Sequence, residues 1–137
     1  MRVQQESPLA VVQAWQDAAN RRDINRLVDL SDPAIEIVGP RGSGRGRQVL
    51  GDWLGRANVT LTTLRAFVRG DTVVVAQYGV WRSGDTGDVA GEAHIASCFR
   101  VAGRRVARIA RYEDLDAALA GAGLDYSDER SLDVQEG

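Results

Sequence analysis

At 137 residues, with 44% hydrophobic and 26% charged residues, the chain has the length and balance of one soluble globular domain with a sizeable core. A net charge of −2 argues against a nucleic-acid partner, which calls for a basic surface. No apolar run approaches the roughly 20 residues of a membrane helix, so no membrane partner is expected. All 17 basic residues are arginine, which removes lysine Schiff-base chemistry and the lysine of a phosphate-binding loop. That bias, with abundant Ala, Gly, Val and Asp, fits a GC-rich bacterial genome. Residues 1–7 are polar and lead straight into a helix, so no secretory leader is expected. The single cysteine, Cys98, fits a cytoplasmic protein and excludes an internal disulfide. One histidine and one cysteine do not make a zinc site, and neither a metal nor a cofactor is expected.

Ser7 and Pro8 open a helix with a hydroxyl at the N-cap and proline at the first helical position. Leu9, Val12, Trp15 and Ala19 then form one apolar stripe through Asn20. Asp23 caps a short second helix whose buried face is Ile24, Leu27, Val28 and Leu30, stopped by Pro33. Residues 34–38 alternate as a strand, with Ile35 and Ile37 on one face and Glu36 on the other. The glycine-rich stretch 39–46 reads as a loop. Residues 47–56 form a third helix with Val49, Leu50, Trp53 and Leu54 apolar, and 58–68 a strand with Val59, Leu61 and Phe67 on one face. Three long strands follow over 71–81, 89–101 and 106–113, rich in β-branched and aromatic residues and split by glycine-containing turns. Asp114 caps a small helix over 115–120, stopped by Gly121 and Gly123. The domain spans 1–124, and the acidic tail 125–137 is expected to be disordered.

Helices before strands point to an α+β fold, not alternating βαβ units. The stretches Ser31-Asp-Pro-Ala-Ile-Glu-Ile37, Ser97-Cys-Phe-Arg-Val101 and Arg111-Tyr-Glu-Asp-Leu115, in this order of elements, resemble the NTF2-like superfamily and within it the SnoaL-like group. The resemblance covers residues 7–124. It implies a cone: a strongly curved antiparallel sheet wrapped over three N-terminal helices, with a short C-terminal helix and commonly a homodimer. The superfamily hosts ketosteroid isomerases, polyketide cyclases, limonene-epoxide hydrolases, scytalone dehydratases and binding proteins, so the fold leaves the function open.

Alternation on 89–101 sends Ala93, Ile95, Ser97, Phe99 and Val101 toward the helices, and Glu92, His94, Ala96, Cys98 and Arg100 outward. On the last strand it groups Ala107, Ile109 and Arg111 against Val106, Ala110 and Tyr112. Similarity to the epoxide hydrolases, whose catalytic aspartate precedes a Tyr-x-Asp-Leu sequence, implies that Arg111 faces the pocket. The Arg-x-Asp pair of those enzymes is replaced here by Gln77-Tyr78-Gly79, and with Arg111 in place of the second aspartate both water-activating carboxylates are absent, which rejects that activity.

The pocket residues are then Gln77, Ser97 and Arg111. Trp15, Ile35, Ile37, Trp53, Trp81, Ile95 and Phe99 ring them. An arginine among apolar groups keeps its charge and needs an anionic partner, either a ligand or an internal carboxylate such as Asp17, Asp52 or Glu113. The catalytic candidates are Arg111, Gln77, Asp17 and His94. His94 pairs with Glu92 on the outer face unless a bulge at Gly91 turns both inward. Arg41, Arg45 and Arg47 either clamp an anion at the cavity mouth or stay solvated. Two functions remain open: a protein that binds a small apolar or amphipathic molecule with an acidic group, catalysing cofactor-independent isomerisation, cyclisation or hydration, or a non-catalytic dimeric interaction module with a filled cone. Dimerisation is expected through the outer sheet face.

Overall fold

The computed structural model describes residues 7–39, 42–50, 59–83 and 85–132. Helices begin where the sequence offers caps. Ser7 Oγ accepts the Ala10 amide at 3.1 Å, and Pro8 takes the first turn of α1 (Pro8–Asn20). Asp23 caps α2 (Ile24–Asp29) in the same way through the Arg26 amide. Residues 48–50 are helical and Leu50 is fully buried. The rest of the third helix expected over 47–56, with Asp52, Trp53 and Leu54, lies outside the described residues.

Seven strands form one sheet: β1 (Ser31–Gly39), β2 (Gly42–Arg45), β3 (Val59–Arg69), β4 (Thr72–Arg82), β5 (Val89–Ala102), β6 (Arg105–Tyr112) and β7 (Glu129–Arg130). Their order across the sheet is β2-β1-β6-β5-β4-β3-β7. The β3–β6 meander follows the sequence pattern, because strand propensity and turn glycines favour the same pairing. The expected all-antiparallel sheet needs one correction: β1 runs parallel to β6, so the sheet is mixed. No short turn joins those two strands, so nothing forces them antiparallel. Their ladder jumps from the Ser31–Val106 pair to Glu36–Arg108, and Pro33, which lacks an amide hydrogen, sits in the gap.

Two stretches expected outside strands extend the sheet's edges. The supposed loop contributes β2, which pairs with β1 from Glu36–Arg45 to Gly39–Gly42. Glycine's low strand propensity hides such an edge, since backbone bonds alone hold it. Residues 125–132, expected as the start of a disordered tail, continue the fold. Asp125 caps a 3-10 turn (Tyr126–Asp128), and β7 pairs with Ala66 and Phe67 of β3. Arg69 clasps this segment, reaching the Asp128 carboxylate at 3.2 and 2.7 Å and the Gly123 carbonyl at 2.7 Å. Arg65 grips Glu129 at 2.9 and 2.8 Å. Residues 133–137 lie outside the described residues.

The sheet carries an apolar core on its inner face and a smaller one on part of its outer face. Val12, Trp15 and Leu27 from the N-terminal helices pack on an inner face made of Ile35, Val75, Phe99 and Val101. The C-terminal helix α3 (Leu115–Ala122) lays Ala118 and Leu119 on an outer patch of Phe67, Val74, Ala96 and Cys98, and ends at Gly123, whose φ of 77° favours glycine. Bulges correct two sequence-based face assignments. A register shift between Thr63 and Arg65 leaves Leu61 and Thr63 inside but turns Phe67 outward. A second shift, where Arg100 pairs with Arg108 but Val101 with Val106, brings Val106 into the inner core beside Ile109. Each bulge adds one residue and so inverts the alternation beyond it.

Arg69→Ala would strip the Asp128 side chain, only 12% exposed, of its counter-charge. The expected loss is about 1–3 kcal/mol in urea unfolding, with faster amide exchange confined to residues 123–130. Wild-type stability in the variant would remove the clasp from the account of the fold.

Candidate functional site

Across the inner face runs a line of polar side chains in an otherwise apolar core. Thr63 on β3, Gln77 on β4, Ser97 on β5 and Arg111 on β6 occupy neighbouring positions of the ladder, facing the helices. Ser97 Oγ donates to Gln77 Oε1 at 2.7 Å. Gln77 Nε2 donates to Gln16 Oε1 at 2.5 Å. Gln16 Nε2 donates in turn to Thr63 Oγ1 at 2.8 Å and to the Leu61 carbonyl at 3.4 Å. Gln77 and Ser97 are 1% and 2% exposed, so these bonds replace the water that folding removed.

Gln77 and Ser97, expected from the sequence as pocket residues, both lie on this line; Gln16 and Thr63 join it without a sequence expectation. The signal for Gln16 is its place in Val12-Gln16-Asn20, a four-residue spacing along the edge of the α1 stripe. Asn20 completes that edge, donating to the Leu61 carbonyl at 2.8 Å and accepting the Leu61 amide at 2.9 Å.

Arg111 stands opposite Ser97 in the β5–β6 ladder, half-buried. Among the described residues its guanidinium has no hydrogen-bond or ion-pair partner, and burial alone draws its pKa below the ordinary arginine value. Arginine keeps its proton regardless, so this marks a desolvation cost that no neighbour offsets. Of the internal partners weighed from sequence, the two that are described do not pair with it. Asp17 pairs with Arg21 at 3.2 Å, its side chain 60% exposed. Glu113 is exposed, and Asp52 lies outside the described residues.

The expected apolar ring divides in two. Trp15, Ile35 and Phe99 belong to the deep core, with the Trp15 and Phe99 rings edge-on at 5.8 Å and Trp15 Nε1 donating to Ser31 Oγ at 2.9 Å. Ile37, Trp81 and Ile95 are half-buried, like Arg111. The Trp81 indole folds back along its own strand over Gly79. A Cβ at Gly79 would stand 3.0 Å from Trp81 Cη2 and 3.2 Å from Leu61 Cδ2, so glycine makes the room. Trp53 lies outside the described residues.

The two general-base candidates among the described residues, Asp17 and His94, turn away from the inner face. Asp17 sits on the solvent side of α1. His94 is exposed on the outer face, its ring 5.3 Å from Tyr78. The β4–β5 register does shift, but between Trp81–Gly91 and Arg82–Val89, on the turn side of Glu92, so Glu92 and His94 stay outside. The anion clamp weighed for the glycine-rich stretch also dissolves. Arg47 is spent on the Ser31 carbonyl at 3.1 and 2.8 Å, Arg45 lies 3.7 Å from Glu36, and Arg41 lies outside the described residues. Cys98 is buried under α3, and burial pushes its thiol pKa up more strongly than Arg108 and Arg100 pull it down, which suppresses the nucleophilic thiolate. Among the described residues no group of His, Cys, Asp and Glu could hold a metal ion, and no helix is long and apolar enough to cross a membrane.

Solved structures share this frame. TerC, co-crystallised with polyporic acid, superposes with a TM-score of 0.69 at 18% identity, over 85% of this chain and 98% of its own. An NTF2-like protein of unknown function from Cytophaga hutchinsonii gives 0.68 at 13%, over 83% and 95%. A ketosteroid isomerase-like protein from Catenulispora acidiphila, in complex with trimethylamine, gives 0.66 at 24%, over 84% and 93%. The fold is NTF2-like. No family model and no curated protein matches the sequence. At these identities the likeness carries the NTF2-like architecture and not an activity.

Within that architecture Gln77 holds the polar line together. Gln77→Met, close in volume, would leave Ser97 Oγ and Gln16 Oε1 buried without partners. A loss of about 2–3 kcal/mol is expected in chemical denaturation. A near-neutral result would mean that water replaces the amide.

Proposed function

We propose that this chain binds a small, mostly apolar molecule bearing an anionic group against the inner face of its sheet. Arg111 anchors the anion, and Ser97 and Gln77 orient the polar atoms beside it. The observation that carries this reading is the half-buried guanidinium, unpartnered among the described residues, a charge that neither leaves its site nor loses its proton. Ile37, Trp81 and Ile95 offer the nearest apolar contact, while Trp15, Ile35 and Phe99 set the floor. Trp53 joins the wall on the sequence reading alone. TerC with polyporic acid and the Catenulispora protein with trimethylamine supply precedents for small molecules on this fold.

The reading is binding first. Cofactor-independent isomerisation, cyclisation or hydration would use Arg111 to stabilise an enolate-like oxygen. With Asp17 and His94 turned away, the carboxylate remaining from the sequence reading is Asp52. We place the protein in the cytoplasm as a homodimer whose contact is the outer face beyond α3, around Tyr78, Val80 and His94. On that reading Tyr78→Glu should convert a two-chain species to one chain in analytical ultracentrifugation. A wild-type chain that sediments as a monomer at high concentration would end the dimer proposal.

A thermal-shift screen pairing apolar carboxylic acids with their neutral amides tests the anchor. An acid at a hundredfold excess over its Kd should stabilise the wild type by about 2.7 kcal/mol, and Arg111→Leu should lose that shift. Without ligand, Arg111→Leu should melt at or above wild type, because it removes a half-buried charge with no partner among the described residues. No acid-selective shift, together with a variant that melts lower, would make Arg111 structural and favour the non-catalytic interaction module.

A further inference from the structure

The polar line has a direction, and its direction constrains the ligand. The Leu61 carbonyl can only accept, so the side-chain atom Gln16 turns toward it is the amide nitrogen, Nε2, which also meets Thr63 Oγ1 at 2.8 Å. Gln16 Oε1 then faces Gln77 and requires a donor, which Gln77 supplies from Nε2. That leaves Gln77 Oε1 toward Ser97, and the only group Ser97 can offer it is its hydroxyl hydrogen. The Ser97 proton is therefore committed to Gln77. What remains of that hydroxyl for a ligand is lone pairs alone.

Opposite Ser97 stands Arg111, which has hydrogens to give and no lone pair to offer. The two groups form a complementary pair on one face, an acceptor beside a cationic donor. We propose that the ligand carries a hydroxyl or N–H donor close to its anionic oxygen, the donor going to Ser97 Oγ and the anion to Arg111. This rests on the anion-anchoring role of Arg111 and narrows it to a class: hydroxy acids and enolic acids on an apolar body, in preference to simple carboxylates or keto acids. The selection arises because an ether or carbonyl oxygen placed at Ser97 would meet a second set of lone pairs, while a hydroxyl there completes a chain that ends on a backbone carbonyl.

Isothermal titration of the full chain with 2-, 3- and 4-hydroxybenzoate and the matching methoxybenzoates tests this. At least one hydroxy isomer should bind roughly tenfold tighter than its own methyl ether, the discrimination expected when a buried acceptor loses its donor. Ser97→Ala should bring that ratio to about one with the ether's affinity little changed, and Ser97→Thr, which keeps the hydroxyl, should retain the preference. Equal affinities for every hydroxy–methoxy pair in the wild type, or a preference that survives Ser97→Ala, would overturn the assignment while leaving the Arg111 anchor standing. A wild-type preference for the ethers would mean that the chain runs the other way, with Ser97 donating to the ligand. Absence of binding by every benzoate would overturn the anchor and this inference together. The wild-type ratios decide the matter even if Ser97→Ala does not fold.

Discussion

A primary amide buried beneath a helix has to find its hydrogen bonds inside the protein, and at Gln77 that requirement ties four elements together. Its carbonyl draws the Ser97 hydroxyl from β5, its amide reaches Gln16 on α1, and Gln16 continues to Thr63 and the Leu61 carbonyl on β3. Apolar packing would press α1 against the sheet at many angles and registers. The polar line accepts only the placement in which each of these groups meets its partner, because each one left over would cost as much as several buried methylenes contribute. The neighbouring bonds of Asn20 to both the amide and the carbonyl of Leu61 fix the same helix edge again.

Arg111 follows the opposite logic on the adjacent strand. The sheet carries it to the inner face next to Ser97, yet no group among the described residues compensates it. The bonds within the polar line specify the fold; on the proposed reading Arg111, with the lone pairs left on Ser97, is what a ligand would meet. The Trp81 indole bent over Gly79 belongs to the same region, an aromatic surface whose position depends on a missing side chain next to it.

The outer face shows how a sheet of this size is divided. The α3 helix covers Phe67, Val74, Ala96 and Cys98 and thereby disposes of the apolar half. Tyr78 and His94, paired across β4 and β5 beyond its reach, keep their rings on the surface. The C-terminal segment closes the β3 edge with β7 and two arginine clasps, so the acidic residues that suggest a solvated tail are largely counter-ions. An edge covered in this way is withdrawn from pairing with other chains.

Much of this is written locally in the chain. Ser7-Pro8 and Asp23 define helix starts because a cap needs only its own next turn. The meander strands and the inward parity of Ser97 and Phe99 follow from a period of two, and Gln77, Ser97 and Arg111 could be named from it with the help of family resemblance. Other features depend on contacts distant in sequence. The parallel pairing of β1 with β6 and the glycine-built edge β2 rest largely on backbone bonds that leave no mark on side-chain pattern. The return of residues 125–132 to β3 depends on clasps from Arg65 and Arg69, far off in the chain. The bulges in β3 and near Ala107 invert a face with a single residue, which alternation counted along one strand cannot register. Gln16, isolated in a helix, is an unremarkable polar residue; it becomes the centre of the site only when Leu61, Thr63 and Gln77 surround it. Sequence alone settled what each segment prefers to be, because propensity and capping act within a few residues. Tertiary structure alone decided which polar groups are satisfied and that Arg111 has no partner among the described residues, because hydrogen-bond partnership is a property of positions brought together by the fold.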